Sequence, residues 1–395
     1  MQRSETKKVA LGIFRLRPAG GLERHALRLA SELLARGISV TFYTTDPGEA
    51  VPEGAGVVML PRSGFTNHGA LAAFSRSLAA ATANGDELVV GFQKLAGLDV
   101  LFCADWCFAD RPANLWTRLN PRHRAMCALE RACFAPSAAT RILALSQPQL
   151  DAFVAVYDTP RSRTAVLPPT VDPRYAATMP DAARRASART AYGLAKETVA
   201  WLWTGLQPRV KGLDRVTAAL AKRPEAVLFV VGVDPAHRAL AALLRQARGV
   251  GLERRIRLLG VVSDAELQAL FTACDLLVHP ARLDVTGTVI LEAMANGLPV
   301  VTTANCGYSV HVATAQAGSV IPPPFEQSAL DHALAAADAA MRARWSENAL
   351  AYARNPLLYS GIAKAADVIE QALGGRRRAD IRQTTSPASG CQRTE

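Results

Sequence analysis

The chain has 395 residues, half of them apolar and a fifth charged, with a formal net charge of +11. That length exceeds one core and suits two domains, and the composition excludes a disordered chain. No apolar run approaches the roughly 20 residues that span a bilayer, so no transmembrane helix is expected. The positive charge points to an acidic partner: nucleic acid, anionic lipid or a phosphorylated substrate.

Taken in chain order, Lys7 and Lys8 precede the apolar run "VALGIF". Arg15 breaks that run too early for a secretory signal, so it reads as a first buried strand. "SVTFYTT", "ELVVGF", "VLFCAD" and "RILALS" follow as strand candidates, separated by Ala- and Leu-rich helical stretches. The prolines of "VLPPTVDP", residues 166 to 173, prevent regular structure and suit a linker. The helical segment "DAARRASARTAYGLAKET" then leads into a second series, "VAWLWTG", "AVLFVVG", "RIRLLG", "DLLVHP" and "LPVVTT". Continuous apolar strands alternating with helices predict parallel sheets covered on both faces. Two such series predict an α/β chain of two doubly wound, Rossmann-like domains, over 1–167 and 168–355. One more helix is expected over 356–374. The polar stretch 375–395 has little to bury and is expected to be disordered.

The seven cysteines show no framework spacing, which suits a reducing cytosol. Cys103, Cys107, Cys127 and Cys133 cluster loosely, whereas a zinc site favours tighter pairs. They read as small buried hydrophobes, and no metal is expected.

Four stretches carry candidate chemistry. "PAGGLERH" follows the first strand and opens a helix. Gly20 and Gly21 let backbone approach a ligand, and the helix N-terminus offers amides to an anion, although a plain turn would look the same. "TGLQPRVKGL" follows the first strand of the second series. Its Gly205, Arg209 and Lys211 suit a diphosphate leaving group, whose developing charge two cations would stabilise; a solvated turn is the plainer alternative. "LLGVVS" ends a strand at Gly260 and Val261, where backbone groups would be open to the edge of a flat base. Lastly, "HPARLDVTGTVILEAMANGLPVV" places Asp284 in a loop and Glu292 in the helix that follows. A carboxylate accepts two bonds from a vicinal diol, so Glu292 suits a ribose. The amides around Gly287 and Thr288 suit a phosphate. The apolar flanks of Glu292 argue against a plain surface position.

With these residues in view, the pattern D-x-x-G-x-x-x-x-E-A-M-A-x-G-x-P-V-V resembles the signature of retaining glycosyltransferase family 4, which has the GT-B fold. "SGFTNHG", "VVGFQKLAGLDVLFCADWCFAD", "ERACF", "DLLVHP", "LPVVTTANCGY" and "KAADVI" extend the resemblance over residues 9 to about 373, toward the lipopolysaccharide core glucosyltransferases of that family. It implies two domains facing across a cleft, with the final helix returning to the first, acceptor-binding domain. It further implies metal-independent transfer from UDP-glucose to an inner-core heptose, without a cofactor. Position by position, Glu292 would hold the ribose and Lys211 the diphosphate. Gly287 and Thr288 would meet the phosphate, Gly260 and Val261 would flank the uracil, Gly20 and Gly21 would close over the diphosphate, and Asp99 and Asp105 would line the acceptor side.

Two departures matter. The family has Glu where this chain has Asp284. The shorter side chain requires its contact with the donor sugar to shift by roughly an ångström or more or to be bridged by water, and misplacement on that scale can cost about 10²-fold in rate. The family's Arg beside the lysine is Val210 here, with Arg209 one position earlier. The first departure leaves another donor open (UDP-galactose, a UDP-N-acetylhexosamine or GDP-mannose), and the second leaves the diphosphate clamp open; a GT-B UDP-sugar epimerase is a separate alternative. A non-catalytic basic binder would leave the glycines, lysine and glutamate at strand ends unexplained.

The segment 110–134 interleaves Arg111, Arg118, Arg122, Arg124 and Arg131 with Trp116 and Leu119. That mixture reads as an interfacial element for an anionic membrane; the phosphorylated lipid acceptor that the resemblance implies would place the enzyme peripherally on the cytoplasmic face of the inner membrane. The plainer alternative pairs these arginines with Asp110 and Glu130. Nothing resembles a groove-reading nucleic-acid module, so no nucleic-acid partner is expected.

Overall fold

Parallel strands built from uninterrupted apolar residues need cover on both faces, and helices crossing between them supply it. A computed structural model describes residues 7–16, 20–48, 51–110, 114–177, 181–249 and 251–384. The chain forms two compact units. The first comprises residues 1–144, 150–167 and 362–395, and the second 145–149 and 168–361.

The first unit runs β1 (Lys8–Gly12), α1 (Gly21–Ala35), β2 (Ser39–Thr44), β3 (Gly56–Met59), α2 (Asn67–Ala81), β4 (Leu88–Gly91), β5 (Val100–Cys103), α3 (Leu115–Leu119), α4 (Pro121–Phe134), β6 (Arg141–Ala144), α5 (Gln147–Tyr157) and β7 (Thr164–Val166). Its seven strands are parallel, in the order β3-β2-β1-β4-β5-β6-β7. Leu11, Val90, Leu101, Phe102 and Ile142 are fully buried between the helix layers.

The second unit runs α6 (Ala182–Ala191), β8 (Val199–Thr204), α7 (Leu213–Leu220), β9 (Ala226–Val231), α8 (Arg238–Gly249), β10 (Ile256–Gly260), α9 (Asp264–Ala273), β11 (Leu276–His279), α10 (Thr288–Ala295), β12 (Val300–Thr303), α11 (Ser309–Ala315), β13 (Gly318–Ile321), α12 (Gln327–Ala336) and α13 (Ala339–Ala353). Its six parallel strands lie in the order β10-β9-β8-β11-β12-β13. The order reverses between β8 and β11, the switch point where open α/β sheets take ligands. Trp201 and Trp203 point from one face of β8 into one core, and Ala200 and Leu202 point from the other face into a second core.

The last helix, α14 (Gly361–Thr384), belongs almost wholly to the first unit. Arg36, just past α1, reaches Asp367 at 2.8 Å, Glu370 at 3.1 Å and the Ala363 carbonyl at 3.2 Å. Lys7 adds a contact to Glu370 at 3.2 Å. The helix does not stop at Gly374–Gly375. It continues to Thr384, which corrects the expectation of disorder from residue 375; residues 385–395 lie outside the described residues. Two glycines in succession weaken a helix without ending it when strong helix formers follow, as "RRRADIRQ" does here.

Candidate active site at the strand ends

In the second unit every loop that follows a strand C-terminus at the switch point carries a residue singled out above. After β8 the chain turns through Gly205 to Lys211. Gly212, at φ 74°, closes the turn so near the Pro280 carbonyl that no Cβ would fit. The buried Trp203 indole donates to the Lys211 carbonyl at 2.9 Å and fixes the lysine backbone. Gly232 follows β9, and its amide donates to the Gly260 carbonyl at 2.7 Å. Gly260 closes β10 at φ 67°, and Val261 beyond it is exposed.

After β11 the loop 280–287 leads into α10. Gly287 caps that helix at φ 69°, a left-handed conformation costly for any other residue, and a Cβ there would sit 2.9 Å from Ile290. No side chain caps α10, so its first-turn amides around Thr288 are open to an anion. The Thr286 and Thr288 hydroxyls lie 3.1 Å apart beside them. Glu292 follows Thr288 by one helical turn and therefore shares its face, with the residue only 6% exposed.

Lys211 and Asp284 come from the two strands that flank the switch point, and they meet. The lysine ammonium is 2.6 Å from Asp284 Oδ2. The same oxygen accepts from His279 Nε2 at 2.9 Å. Burial alone would raise the Asp284 carboxyl, but the bond from His279 and the charge of Lys211 hold it well below the usual carboxylate range. Because the carboxylate accepts, His279 carries its hydrogen on Nε2, and Nδ1 has no hydrogen-bond partner among the described residues. Asp284 is further fixed by its backbone: its amide donates to the Asn305 carbonyl at 3.2 Å and its carbonyl accepts from Gly307 at 3.1 Å.

Cys306 lies behind this group, and its sulfur, His279 and Asp284 offer ligand atoms within 4.8 Å of one another. A cation would meet the Lys211 ammonium on the same carboxylate oxygen. Burial also pushes the Cys306 thiol up to about 11, away from the thiolate a metal needs. The trio reads as a polar brace for the loop.

Arg209 does not join the group. Its side chain is exposed, and its carbonyl accepts from Arg282 at 2.6 Å. Arg282 forks onto Asp214 at 2.8 and 2.7 Å and stitches the loop after β11 to the loop after β8. Sequence reasoning missed His279, Arg282 and Cys306. His279 had a weak signal as the last residue of a strand; the other two had none.

In the first unit, Gly20 and Gly21 open α1 beyond the end of β1. A Cβ on Gly21 would enter open space, whereas the Glu23 carboxylate lies directly over Gly20. Burial raises that carboxyl. Asp105 is exposed in the loop after β5, and its charge reaches both Lys94 and Glu23. Asp99 is different. It precedes β5, accepts from the Val89 amide at 2.7 Å, and its carbonyl accepts from Arg141. It therefore sits at the N-terminal edge of the sheet, opposite Asp105, and its expected place on the acceptor side is corrected: it holds strand ends together.

The loop that carries Asp105 is clamped. Glu130, with no exposed surface, accepts from Lys94 at 2.7 Å, the Phe108 and Ala109 amides at 2.6 and 3.1 Å, and the Tyr157 hydroxyl at 2.9 Å. Lys94 also donates to the Trp106 carbonyl at 2.8 Å. Asp110 accepts from the Trp106 indole at 3.0 Å. Both carboxylates are thus engaged away from the arginines of segment 110–134. Arg118, Arg122 and Arg124 are exposed on α3 and α4, Arg131 lies over the Tyr157 ring, and Arg111 lies outside the described residues.

Two doubly wound parallel sheets, with a lysine and an uncapped helix N-terminus at the switch point of the second, have the architecture of GT-B glycosyltransferases. Comparison with known proteins agrees. Residues 19–175 match the model "Glycosyltransferase Family 4", and residues 192–351 match "Glycosyl transferases group 1". The chain is 36% identical over 380 residues to the lipopolysaccharide glucosyltransferase WaaG of Escherichia coli, spanning 93% of this chain and 100% of that protein. The chain belongs to this glycosyltransferase family, and it is a glycosyltransferase. The crystal structure of WaaG superposes with a TM-score of 0.85 over 91% of this chain and 99% of that one, at 36% identity. A sucrose-phosphate synthase from Thermosynechococcus elongatus shares the fold at a TM-score of 0.76 and 21% identity, over 94% of this chain and all of that one. A D-inositol 3-phosphate glycosyltransferase of Xylanimonas cellulosilytica is 27% identical over 327 residues, 72% of this chain and 76% of that protein. No described helix is long and apolar enough to cross a membrane.

Proposed function

We propose that this chain transfers glucose from UDP-glucose to a heptose of the lipopolysaccharide core, with retention at the anomeric carbon and without a metal. The observation that supports this most is the 36% identity with a lipopolysaccharide glucosyltransferase across that protein's whole length, joined to the donor-type constellation at the switch point. In this reading Glu292 takes the ribose diol, and the α10 amides with Gly287 and Thr288 take the distal phosphate. Gly260 and Val261 flank the base. Lys211 stabilises the diphosphate as the glycosidic bond breaks and negative charge accumulates on the leaving oxygen. A front-face mechanism, with the diphosphate accepting the acceptor proton, needs no protein nucleophile, so no covalent sugar adduct forms on Asp284. Asp284 instead braces Lys211, with His279 behind it.

The test is incubation of the purified protein with UDP-glucose, UDP-galactose, UDP-N-acetylglucosamine or GDP-mannose and heptose-terminated lipopolysaccharide. Mass spectrometry should find one added hexose only with UDP-glucose, undiminished by EDTA, and NMR should find an α-linkage. Hydrolysis or epimerisation of the donor without transfer would overturn the reading.

The acceptor is a phosphorylated lipid, so we further infer that the enzyme works peripherally at the cytoplasmic face of the inner membrane, held through residues 110–134. The exposed Trp116, Leu119, Arg118, Arg122 and Arg124 support this. Sedimentation with anionic vesicles, released by high salt and lost on neutralising the three arginines, is the expected result. Equal sedimentation of the neutralised variant would leave these charges without that role.

A further inference from the structure

Phe65 is the most exposed large apolar residue among those described, with its whole side chain open to solvent. It sits one residue before Thr66, which caps α2 by accepting from the Gly69 amide at 3.2 Å. An apolar residue in that place ordinarily folds down onto the first turn of the helix. Here the position it would cover, Ala70, is already buried, and Phe65 points away. The fold makes no use of the ring, yet the cap holds its base in place.

The topology puts Phe65 beside the arginine-rich segment. The connections β3-α2-β4 and β5-α4-β6 step along the sheet in the same direction, so right-handed crossovers place α2 and α4 on one face. The two helices pack together. Both also begin beyond the C-terminal edge of the strands. Phe74 of α2 meets Phe14, just past β1, at 5.5 Å, so the helix start at Asn67 lies about 10 Å further out at 1.5 Å per residue. Glu130 of α4 meets the loop directly after β5, which carries Pro121 about 13 Å beyond that edge. Phe65 precedes the first helix start, and Trp116 and Leu119 on α3 precede the second. One corner of the unit therefore bears Phe65, Trp116 and Leu119, the three most exposed of its large apolar side chains among the described residues. The stretches 60–69 and 114–129 that build it hold Arg62, Arg118, Arg122 and Arg124 and contain no Asp or Glu. An apolar tip ringed by guanidinium groups matches a bilayer surface of anionic lipid.

We propose that Phe65 is a second membrane anchor, inserting from the α2 cap into the same anionic bilayer that Trp116 and Leu119 enter. The inference rests on the membrane reading above and extends it to a separate segment of the chain. The two can fail separately.

The experiment uses the full chain with vesicles of phosphatidylethanolamine and phosphatidylglycerol, and with phosphatidylcholine vesicles as the neutral control. Phe65→Ala should lower partition into the anionic vesicles about tenfold or more, the scale of one buried aromatic side chain. Melting temperature and UDP-glucose affinity should stay at parent values. Phe65→Trp should restore partition, and its added emission should be quenched by brominated phosphatidylglycerol. If Phe65→Ala sediments as the parent does while Trp116→Ala and the triple arginine variant are released, the membrane reading stands and this anchor is overturned. If the parent does not sediment, both are overturned. A parent that self-associates in ultracentrifugation, and loses that association with Phe65→Ala, would overturn the anchor in favour of a second copy of the chain.

Discussion

Two lysine–carboxylate pairs, one in each unit, have nearly the same length and opposite character. Lys94 and Glu130 meet at 2.7 Å with 5% and 0% of their side chains exposed. Lys211 and Asp284 meet at 2.6 Å with 24% and 12% exposed. In the first pair every acceptor site on the carboxylate is taken, by an ammonium, two amides and a hydroxyl, so the pair organises a loop. In the second the lysine keeps an open side at the switch point, where a bound anion can share it. Distance alone does not separate a structural pair from a working one. Exposure of the cation, and which end of which strand delivers it, does.

The comparison breaks most sharply under truncation. Glu130→Ala strands a buried ammonium and three other donors, and should cost about 3–5 kcal/mol in urea unfolding. A loss no larger than that of an exposed pair would remove the distinction. Lys211→Ala should leave a folded protein but lower kcat about 10²–10³-fold, with less effect on donor KM, because leaving-group charge grows only in the transition state. A loss confined to KM would assign Lys211 to uniform binding. Glu292→Ala should weaken UDP binding by about 1.5–3 kcal/mol by calorimetry, the scale of bonds to a charged group; unchanged affinity in a folded variant would free Glu292 of the ribose.

Smaller effects sharpen the second pair. His279→Leu removes the donor behind Asp284 and should lower kcat less than Lys211→Ala, whereas His279→Gln, which can still donate, should recover part of the loss. Asp284→Glu restores the family's longer side chain, and a change in the preferred donor sugar would show that position 284 reads the sugar. The acid limb gives a further check. The Asp284 carboxyl lies below its ordinary value in the folded state. Its stabilising contribution is therefore complete above about pH 4 and is lost as pH falls through the folded value. Asp284→Asn should be less stable than the parent at pH 7, and the gap should narrow in unfolding curves taken at progressively lower pH.

Much of the fold was legible because ten strands carry short, largely apolar runs. The three not read, β3, β7 and β13, all lie at sheet edges and are three or four residues long. β3 is exposed throughout, although Val57, Val58, Met59 and Leu60 form a short apolar run. The Gly, Lys, Thr and Glu positions after β8, β10 and β11 were legible because strand-end loops carry their own signature. His279 with Asp284, and Arg282 with Asp214, were not: their pairing depends on packing that no local spacing records. Asp99 shows the converse limit. An acid next to a strand looks functional until the strand direction says which end it occupies, and here it lies on the edge away from the C-terminal loops.

The central claim is that the switch-point constellation of the second unit serves glucosyl transfer to a heptose of lipopolysaccharide. The most direct test is transfer from UDP-glucose to heptose-terminated lipopolysaccharide, followed by mass spectrometry, with parent protein and Lys211→Ala side by side. The account predicts a single added hexose with the parent and about a hundredfold or slower addition with the variant at saturating donor. Equal rates from the two proteins, or no addition by a parent that binds UDP-glucose, would contradict it.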